Sequence, residues 1–512
     1  MQSIIFSHAM NTRFLHSLKI QHLWAITVIL GVFIFMNTQP IRPHDFWWHI
    51  ALGREIASTG QIPEVDSFSY TMQGAPYQGF KMFWLVDLAL FGIYSAGGAE
   101  MIVFTQSIII TTAYSILMWL CWKICGSWRT AAIAILFAAA LGINSWNVRP
   151  QTISYLIGVL FILAIYHHRR KPRWIYLLIF PLGMLIWVNS HGSFVIGLVL
   201  VGIWLLDEAY QLARRRFGSE PGTNGNSFYY ALGAFTLSAV ACLVNPRGIG
   251  IASYVLNLTG NKIVQGLIPE WAPPSYDTLD GIIFLIGLMG SATILIVSPK
   301  RADFFQLLTF LIFGFLGLQT RRGSVWFGIV MAPVLADHLS SISRQSFRKK
   351  TQPLERPRAV MVNLVILVLL ILAGAISLPW FKEYLPLPPL KAGLISSETP
   401  VAGTNFLLEQ QPPGELFHDM AFGSYLTWAA PADYRVFVDP RIEFYPLEIW
   451  GDYLAIVNAL PGWEQLLEAY RVNTLMLDPN EQGKLIERLN LSGEWRSIYQ
   501  DDSAVLFVRR SK

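Results

Sequence analysis

Six polar clusters interrupt a very apolar chain at places where a lipid bilayer does not tolerate them. They supply carboxylate, imidazole, guanidinium and amide groups, and they lie at His44–His49, Asn144–Arg149, Asn189–Gly192, Asn245–Arg247, Glu270–Trp271 and Arg321–Arg322. One Arg or Asp at the centre of a membrane helix costs about 2.5 to 3.5 kcal/mol on insertion scales. Such clusters therefore need a protein-lined cavity or the membrane boundary, and their convergence at one face indicates an active site.

The composition predicts a polytopic membrane protein. Of the 512 residues, 53% are hydrophobic and only 14% are charged, which is more apolar than a soluble globular protein. The net charge of +5 does not indicate nucleic-acid binding, because the Lys and Arg residues form short runs beside apolar segments, where they set orientation. The three cysteines lie in or beside apolar segments and imply no disulfide framework.

The polar clusters must be positioned by helices that cross the bilayer, and the hydropathy pattern predicts about 11 to 12 of them. Eleven apolar stretches have spanning length, near 21–38, 101–122, 130–144, 151–167, 174–189, 194–211, 228–244, 279–297, 304–320, 324–339 and 360–380. A twelfth, 80–97, is shorter and contains Lys81 and Asp87. We expect that segment to be re-entrant or to lie along the outer surface.

The basic clusters predict the orientation. Those at 167–171, 214–216, 300–301 and 344–358 are separated by even numbers of spans, so all four can be cytoplasmic. This orientation places the six polar clusters at the outer face. The last span then leads to an outer C-terminal region.

The chain divides into three parts. Residues 1–380 are predicted to form an all-α transmembrane domain with a large first outer loop, 39–80, and 381–394 a Pro-rich linker. Residues 395–512 alternate strand-like and helical patterns, which predicts a small extracytoplasmic α/β domain with parallel strand pairs. The strand-like stretches are 415–420, 435–439, 474–477, 495–499 and 504–508.

The first outer loop resembles a known family. It begins with Asp45, continues into an apparent interfacial helix with a Gly-Arg-x-Ile element at Gly53–Ile56, and then carries Gly60–Pro63 and Asp66–Tyr70. This order is similar to that in the GT-C superfamily of membrane glycosyltransferases, which includes protein mannosyltransferases and the aminoarabinose transferases of lipid A. Elements similar to those of a bacterial branch of that superfamily lie at Asn189–Gly192, Asn245–Gly248, Glu270–Pro274 and Val438–Arg441.

The resemblance implies an inverting transfer of a sugar from a polyprenyl-phosphate carrier to an acceptor, at the outer face of a bacterial cytoplasmic membrane. Asp45 matches the family carboxylate that acts as base on the acceptor hydroxyl or orients it. Family members often carry an acidic pair here, whereas His44 and Phe46 flank Asp45. A divalent cation at His44, Asp45 and His49 stays an alternative, but this spacing is no metal-site signature, and we predict no metal ligand or other cofactor.

The leaving lipid phosphate would gain charge as the sugar leaves, so cationic donors at the outer surface would stabilise it. The candidates for binding this phosphate or the substrate are Arg149, Asn189, His191, Arg247, Glu270, Arg321 and Arg322. The aromatic candidates are Trp47, Trp48 and Trp271.

Each candidate also has a structural explanation. The arginines can reach lipid headgroups or pair with acidic neighbours. Asp45 can cap the helix that follows it, and Asn189 and His191 can make buried contacts between helices. The tryptophans can be membrane-interface anchors, and Arg441 can pair locally with Asp439.

Two other function classes stay open. A transporter would carry inverted repeats and polar residues near the membrane midplane, whereas these clusters gather at one face and no repeat is visible. A non-catalytic polyprenyl-lipid-binding or polymer-assembly protein would keep the arginines without needing Asp45. The sequence does not identify the sugar or choose among a glycan, lipid or protein acceptor.

Overall fold

The computed structural model describes residues 19–77, 80–217, 226–260, 268–346 and 357–510. Within these ranges the chain forms a bundle of apolar helices followed by a region with one four-stranded sheet. The predicted fold class, a polytopic α-helical membrane domain with a small C-terminal α/β domain, is confirmed.

Apolar helices account for most of the described chain. Seven are long and apolar enough to span a bilayer: Ile20–Asn37, Phe80–Cys125, Trp128–Ser145, Thr152–Arg170, Phe194–Arg216, Leu279–Val297 and Arg321–Gln345. Three shorter apolar helices are Trp174–Val188, Phe304–Gln319 and Val360–Ile376. The remaining predicted stretch forms the 16-residue helix Asn226–Ala241, so a helix covers each of the eleven stretches.

The C-terminal domain contains strands β1 (Glu415–His418), β2 (Val472–Leu477), β3 (Trp495–Gln500) and β4 (Val505–Arg509), in the order β1-β2-β4-β3. Only β1 and β2 pair in parallel, and the other two pairings are antiparallel, so the expected series of parallel pairs is wrong. The helices of this domain are Val401–Gln410, Met420–Ala429, Leu447–Val457, Trp463–Ala469 and Gly483–Ser492.

The predicted strand at 435–439 does not join this sheet. Instead, Val436 forms a parallel bridge with Ser69 of the first loop. The Val436 N–H donates to the Phe68 carbonyl at 3.0 Å, and the Tyr70 N–H donates back to the Val436 carbonyl at 3.1 Å. Both backbone groups of Val436 are thus satisfied by the first loop, which the sequence pattern could not indicate.

A buried ion cluster fixes the same contact. Arg441 Nη1 lies 2.6 Å from Asp66 Oδ1, and Arg441 Nη2 lies 2.5 Å from Asp439 Oδ2, with all three side chains fully buried. The local pairing of Arg441 with Asp439 is therefore present, but Arg441 also joins residues 375 positions apart. The first loop and the C-terminal domain fold against each other as one body of packed side chains.

The loop helix, Phe46–Thr59, lies between the membrane helices and the C-terminal domain. The Trp48 N–H donates to Ser424 Oγ at 3.0 Å, and the Arg54 guanidinium lies 4.3 Å above the Trp428 ring. Trp47 and Trp48 are only 1% and 3% exposed, since Trp47 packs against Tyr425 of the C-terminal domain and Trp48 packs against Phe80 and Phe83. The helix is thus buried on most sides, whereas its aromatic pattern predicted a position in the membrane interface.

The helix Trp84–Cys125 is broken at Gly97 and Gly98, where Gly98 has a φ of +65° that favours glycine. The part before the break, together with the 3-10 helix Phe80–Phe83, makes up the short apolar segment 80–97. It packs against the loop helix, and its Tyr94 ring lies 5.3 Å from the Trp428 ring of the C-terminal domain. This segment therefore lies at the end of the bundle that the C-terminal domain covers, here called the domain end.

The basic segments gather at the opposite end. Arg169 pairs with Asp303 at 3.0 Å, Arg170 donates to the Lys123 carbonyl, and Arg344 donates to the Cys125 carbonyl. The basic stretch 344–358 continues into 347–356, which lies outside the described residues. The two ends of the bundle thus differ in charge as the pattern of the sequence predicts.

Candidate active site

Four charged side chains from separate parts of the sequence form one line at the domain end. Asp45 Oδ2 lies 3.1 Å from Arg149 Nε, and Arg149 Nη1 lies 2.6 Å from Glu270 Oε1. Glu270 Oε2 then accepts from Arg322 Nε at 2.8 Å. We call Asp45, Arg149, Glu270 and Arg322 the ion-pair chain. It unites members of four of the six polar clusters.

Local structure explains how these four side chains meet. Asp45 precedes the loop helix, and Arg149 lies in the turn before the helix Thr152–Arg170. Glu270 belongs to the short 3-10 helix Pro269–Trp271, while Arg322 is in the first turn of Arg321–Ser346. All four sit at element ends, where an unsatisfied backbone and a change of direction let polar side chains cluster.

The electrostatics of the chain are tightly coupled. Burial raises the pKa of the Glu270 carboxyl, but the charges of Arg149 and Arg322 outweigh it and bring that pKa to about 2. Burial acts against the charged form of Arg149 too, yet Asp45 and Glu270 raise the pKa of Arg149 overall. The side chains remain 16% to 28% exposed. Glu270 and Arg149 therefore carry their charges, and the four side chains remain partly exposed.

Asp45 stands at the N-cap position of the loop helix, yet its side chain makes no cap hydrogen bond. A capping aspartate would accept from a backbone N–H two or three residues later. Here the carboxylate contacts Arg149 instead. The capping explanation for Asp45 therefore does not describe its side chain.

The two polar candidates of the Asn189–Gly192 cluster differ. The Asn189 side chain accepts from Trp84 Nε1 and donates to the Leu185 and Val244 carbonyls, each at 2.8 Å. Both ends of its amide are thus engaged, and Asn189 ties three helical segments together. The structural explanation fits Asn189.

His191 is arranged as a hydrogen-bond donor. Burial, together with the charges of Arg322 and Arg149, lowers the pKa of His191 to about 3, so its ring is neutral. Its Nδ1 accepts from the Ser193 backbone N–H at 3.1 Å. Because Nδ1 is an acceptor in a neutral ring, the proton is on Nε2, which can donate to a ligand.

The two adjacent arginines point to different partners. Arg321 Nε lies 3.7 Å from Asp280 Oδ2, towards the helix Leu279–Val297. Arg322 pairs with Glu270 and lies 5.5 Å from the centre of the Trp271 ring. Trp271 is thus a platform for a cation, and Arg322, not Arg321, belongs to the ion-pair chain.

The C-terminal domain contributes a carboxylate that sequence analysis missed. The Tyr254 hydroxyl donates to Glu443 Oε1 at 2.7 Å, and the Arg247 guanidinium lies 4.9 Å from the Tyr254 ring centre. Burial raises the pKa of Glu443, although Tyr254, Arg322 and Arg247 act in the opposite direction. The only available signal was the position of Glu443 two residues after the Val438–Arg441 element.

Two of the residues considered as metal ligands, Asp45 and His49, contact different partners. Asp45 points to Arg149, whereas His49 Nδ1 lies 2.6 Å from Asp87 Oδ1. Within the described ranges, no three His, Cys, Asp or Glu side chains group closely enough to hold a metal ion. The arrangement that is present can bind an anion with arginines and a neutral imidazole, and it can orient a hydroxyl with a carboxylate.

Sequence comparisons and fold comparisons give different results. No protein-family model matches the sequence, and no curated protein matches it. Among solved structures, ArnT from Cupriavidus metallidurans in the apo state is 12% identical, with a TM-score of 0.51 over 95% of this chain and 97% of that one. The same protein bound to undecaprenyl phosphate gives 12% identity and a TM-score of 0.49, with the same coverage.

A third structure is the archaeal oligosaccharyltransferase AglB from Archaeoglobus fulgidus, in complex with an inhibitory peptide and a dolichol-phosphate. It is 13% identical, with a TM-score of 0.48 over 89% of this chain and 69% of that one. At such identities the likeness concerns the fold. For ArnT in the apo state, it extends over 95% of this chain.

Proposed function

We propose that this chain, which has the GT-C fold, is a membrane glycosyltransferase that transfers a sugar from a polyprenyl-phosphate donor to an extracytoplasmic acceptor. The observation that carries the proposal is the ion-pair chain. It places an arginine-bound carboxylate at one end and a second arginine, beside a donor imidazole, at the other. A carboxylate is therefore available for the attacking hydroxyl, and an arginine and an imidazole are available for the leaving phosphate.

The donor phosphate would bind at the Arg322 end. Arg322 uses Nε for Glu270, so its terminal nitrogens face a ligand as a second pair of donors. Arg247 and the Nε2–H of His191 complete the donor set on that side. As the bond between the sugar and the phosphate breaks, the phosphate gains charge, and these fixed donors stabilise it more strongly than they stabilise the bound donor.

The acceptor would bind at the Asp45 end. Arg149 fixes the Asp45 carboxylate, which then contacts the acceptor hydroxyl as its base or orients it. Asp45 and Arg322 are the two ends of the ion-pair chain, with Arg149 and Glu270 between them. In a single displacement, the attacking and leaving oxygens lie on opposite faces of the sugar carbon, so this separation supports an inverting reaction.

Asp45→Asn tests the proposal, with Asp502→Asn at an exposed position of the C-terminal domain as a matched control. We expect the deletion strain and the Asp45→Asn strain to accumulate the same polyprenyl-phosphate sugar, measured by mass spectrometry of membrane lipids. Loss of acid–base help typically slows a reaction by about 10² to 10⁴-fold. The Asp502→Asn strain should match wild type.

Two results would contradict the proposal in different ways. If Asp45→Asn matches wild type while the deletion accumulates the lipid, Asp45 has no role in the chemistry. If the deletion leaves the lipid-linked sugars unchanged, the transferase proposal itself fails. A non-catalytic lipid-binding protein would tolerate the neutral isostere at position 45.

A further inference from the structure

A buried histidine–aspartate pair lies beside the ion-pair chain. His49 Nδ1 is 2.6 Å from Asp87 Oδ1, and the two side chains are 4% and 0% exposed. Among the described residues, Asp87 Oδ2 has no hydrogen-bond partner. A buried polar atom without a partner costs about 1 to 3 kcal/mol, and apolar side chains commonly replace a buried ion pair without loss. Stability alone therefore does not account for the pair.

The pair lies one helical turn from Asp45 along the loop helix. His49 follows Asp45 by four residues, which is one turn of the loop helix, so both lie on one helix face. The Phe83 ring lies between the two histidines, 5.3 Å from the His49 ring and 6.0 Å from the His191 ring. His49 therefore lies near both Asp45 and His191.

A close helix contact brings the pair together. Gly53 lies on the same helix face, one further turn along, and a Cβ at this position would be 2.1 Å from the Asp87 carbonyl oxygen. Only glycine allows this approach, which lets the Asp87 carboxylate reach His49. The contact between the two segments is thus built around the ion pair.

The geometry also determines which ring nitrogen is reactive. When the pair holds one proton, that proton lies between Nδ1 and the Asp87 carboxylate, and Nε2 carries the lone pair. Burial raises the pKa of Asp87, so the pair takes up a second proton as the pH falls. A histidine oriented in this way by a carboxylate is the usual partner of a hydroxyl that must lose its proton. Asp45 already has one oxygen engaged with Arg149, which suits it to orient a hydroxyl.

We propose that His49, oriented by Asp87, accepts the proton of the acceptor hydroxyl through Nε2, while Asp45 orients that hydroxyl. This inference rests on the proposed function. The O–H bond breaks, its proton bonds to Nε2, and the oxygen electron pair forms the bond to the anomeric carbon. The bond from that carbon to the phosphate oxygen breaks with its electrons, which releases polyprenyl phosphate. The Asp87 carboxylate stabilises the imidazolium until water takes the proton.

His49→Asn is the central variant, because the asparagine amide can still donate to Asp87 from the position of Nδ1, but it has no Nε2. Membranes of the deletion strain, which contain the accumulated donor lipid and the acceptor, are mixed with purified wild type or variant, and donor consumption is followed by mass spectrometry. His167→Asn, at the opposite end of the bundle, is the matched control. We expect His49→Asn to slow consumption by about 10² to 10⁴-fold with an unchanged melting temperature, and the control to match wild type.

The pH profile provides a second readout that a structural role would not change. Burial and the charges of His191, Arg149 and Arg441 lower the pKa of His49, and Asp87 is the carboxylate that faces it. The wild-type rate should fall as the pH drops and the pair gains a second proton. In Asp87→Asn, the loss of the carboxylate should reduce the maximal rate and move this fall to lower pH. The profile is read from active protein, so it does not depend on His49→Asn folding well.

The outcomes separate this inference from the proposed function. If the donor lipid does not accumulate in the deletion strain, both fail. If it accumulates and His49→Asn consumes it at the wild-type rate, or if Asp87→Asn keeps the wild-type pH profile, the pair only joins two helices and this inference is wrong.

Discussion

Replacing Glu270 by Gln removes the anion that holds two arginines together in the ion-pair chain. Glu270 lies 2.6 Å from Arg149 Nη1 and 2.8 Å from Arg322 Nε. Gln keeps the side-chain volume and one acceptor oxygen but carries no charge. In the variant, Arg149 still pairs with Asp45, whereas Arg322 has no ion pair left among the described residues. We expect the variant to be less stable and to bind a lipid phosphate more tightly, since the phosphate replaces the missing counter-ion.

The size of the stability loss follows from the pKa of Glu270, which drops from 4.5 to about 2 in the folded protein. One pKa unit corresponds to about 1.4 kcal/mol, so the ionised carboxylate contributes about 3 kcal/mol at neutral pH. The side chain is 28% exposed, and solvent screening reduces this figure somewhat. We therefore expect Glu270→Gln to cost about 2 to 3 kcal/mol.

Thermal melting in detergent, followed by tryptophan fluorescence, measures the difference. The folded pKa is lowered, so the contribution of Glu270 is fully present above pH 4.5 and is lost as the pH falls through about 2. The difference in melting temperature between wild type and variant should narrow as the pH falls from 4.5 to about 2. At neutral pH, undecaprenyl phosphate should raise the melting temperature of the variant more than that of wild type. Glu464→Gln, at an exposed position of the C-terminal domain, is the control.

Two observations would refute the reasoning. One is a melting temperature of Glu270→Gln that equals that of wild type at neutral pH, which would mean that the ion-pair chain contributes nothing to stability. The other is a difference in melting temperature that stays constant as the pH falls from 4.5 towards 2. The lost stability would then come from packing instead of charge. A smaller lipid-induced shift in the variant than in wild type would contradict the assignment of these arginines to the lipid phosphate.

Two further predictions concern the contacts that position the site. Arg441→Met leaves Asp66 and Asp439 buried without their cation and should cost about 3 to 5 kcal/mol, measured by melting and by protease cleavage of the first loop. Arg509→Met, whose pairs are longer and exposed, should cost less than about 1 kcal/mol, and an equal loss in both variants would refute the argument. Gly53→Ala should force the loop helix away from Asp87 and lower both stability and donor consumption, while Gly31→Ala, which has open space around it, should not. Wild-type consumption by Gly53→Ala would contradict the role of that contact.

The sequence predicted the helices well, because each is long enough for its apolar composition to dominate. The family resemblance predicted the fold, which the comparison with apo ArnT confirms. The polar clusters also indicated which residues gather at the site, since uncompensated charge is expensive wherever a bilayer is present.

The pairing of those residues could not be predicted. Glu270 meets a residue 121 positions away, and Tyr254 meets one 189 positions away, and such partners depend on tertiary packing. Tryptophans such as Trp47 and Trp48 are typical of interface anchors, but both are buried, Trp47 against Tyr425 and Trp48 against Phe80 and Phe83. In the sequence, Asp87 is an isolated charged residue in a short apolar segment. Its partner His49 lies on a different helix, so their pairing depends on tertiary packing.

The bridge between Ser69 and Val436 has a consequence for biosynthesis. A ribosome adds about 5 to 20 residues per second, so the first loop waits on the order of 20 to 70 seconds for its partner strand to be made. During that time its backbone groups and the apolar face of the loop helix have no cover. The site can therefore be completed only after nearly the whole polypeptide has been translated and inserted into the membrane. A chain that stops early would insert its helices but leave the first loop without the C-terminal domain that packs against it.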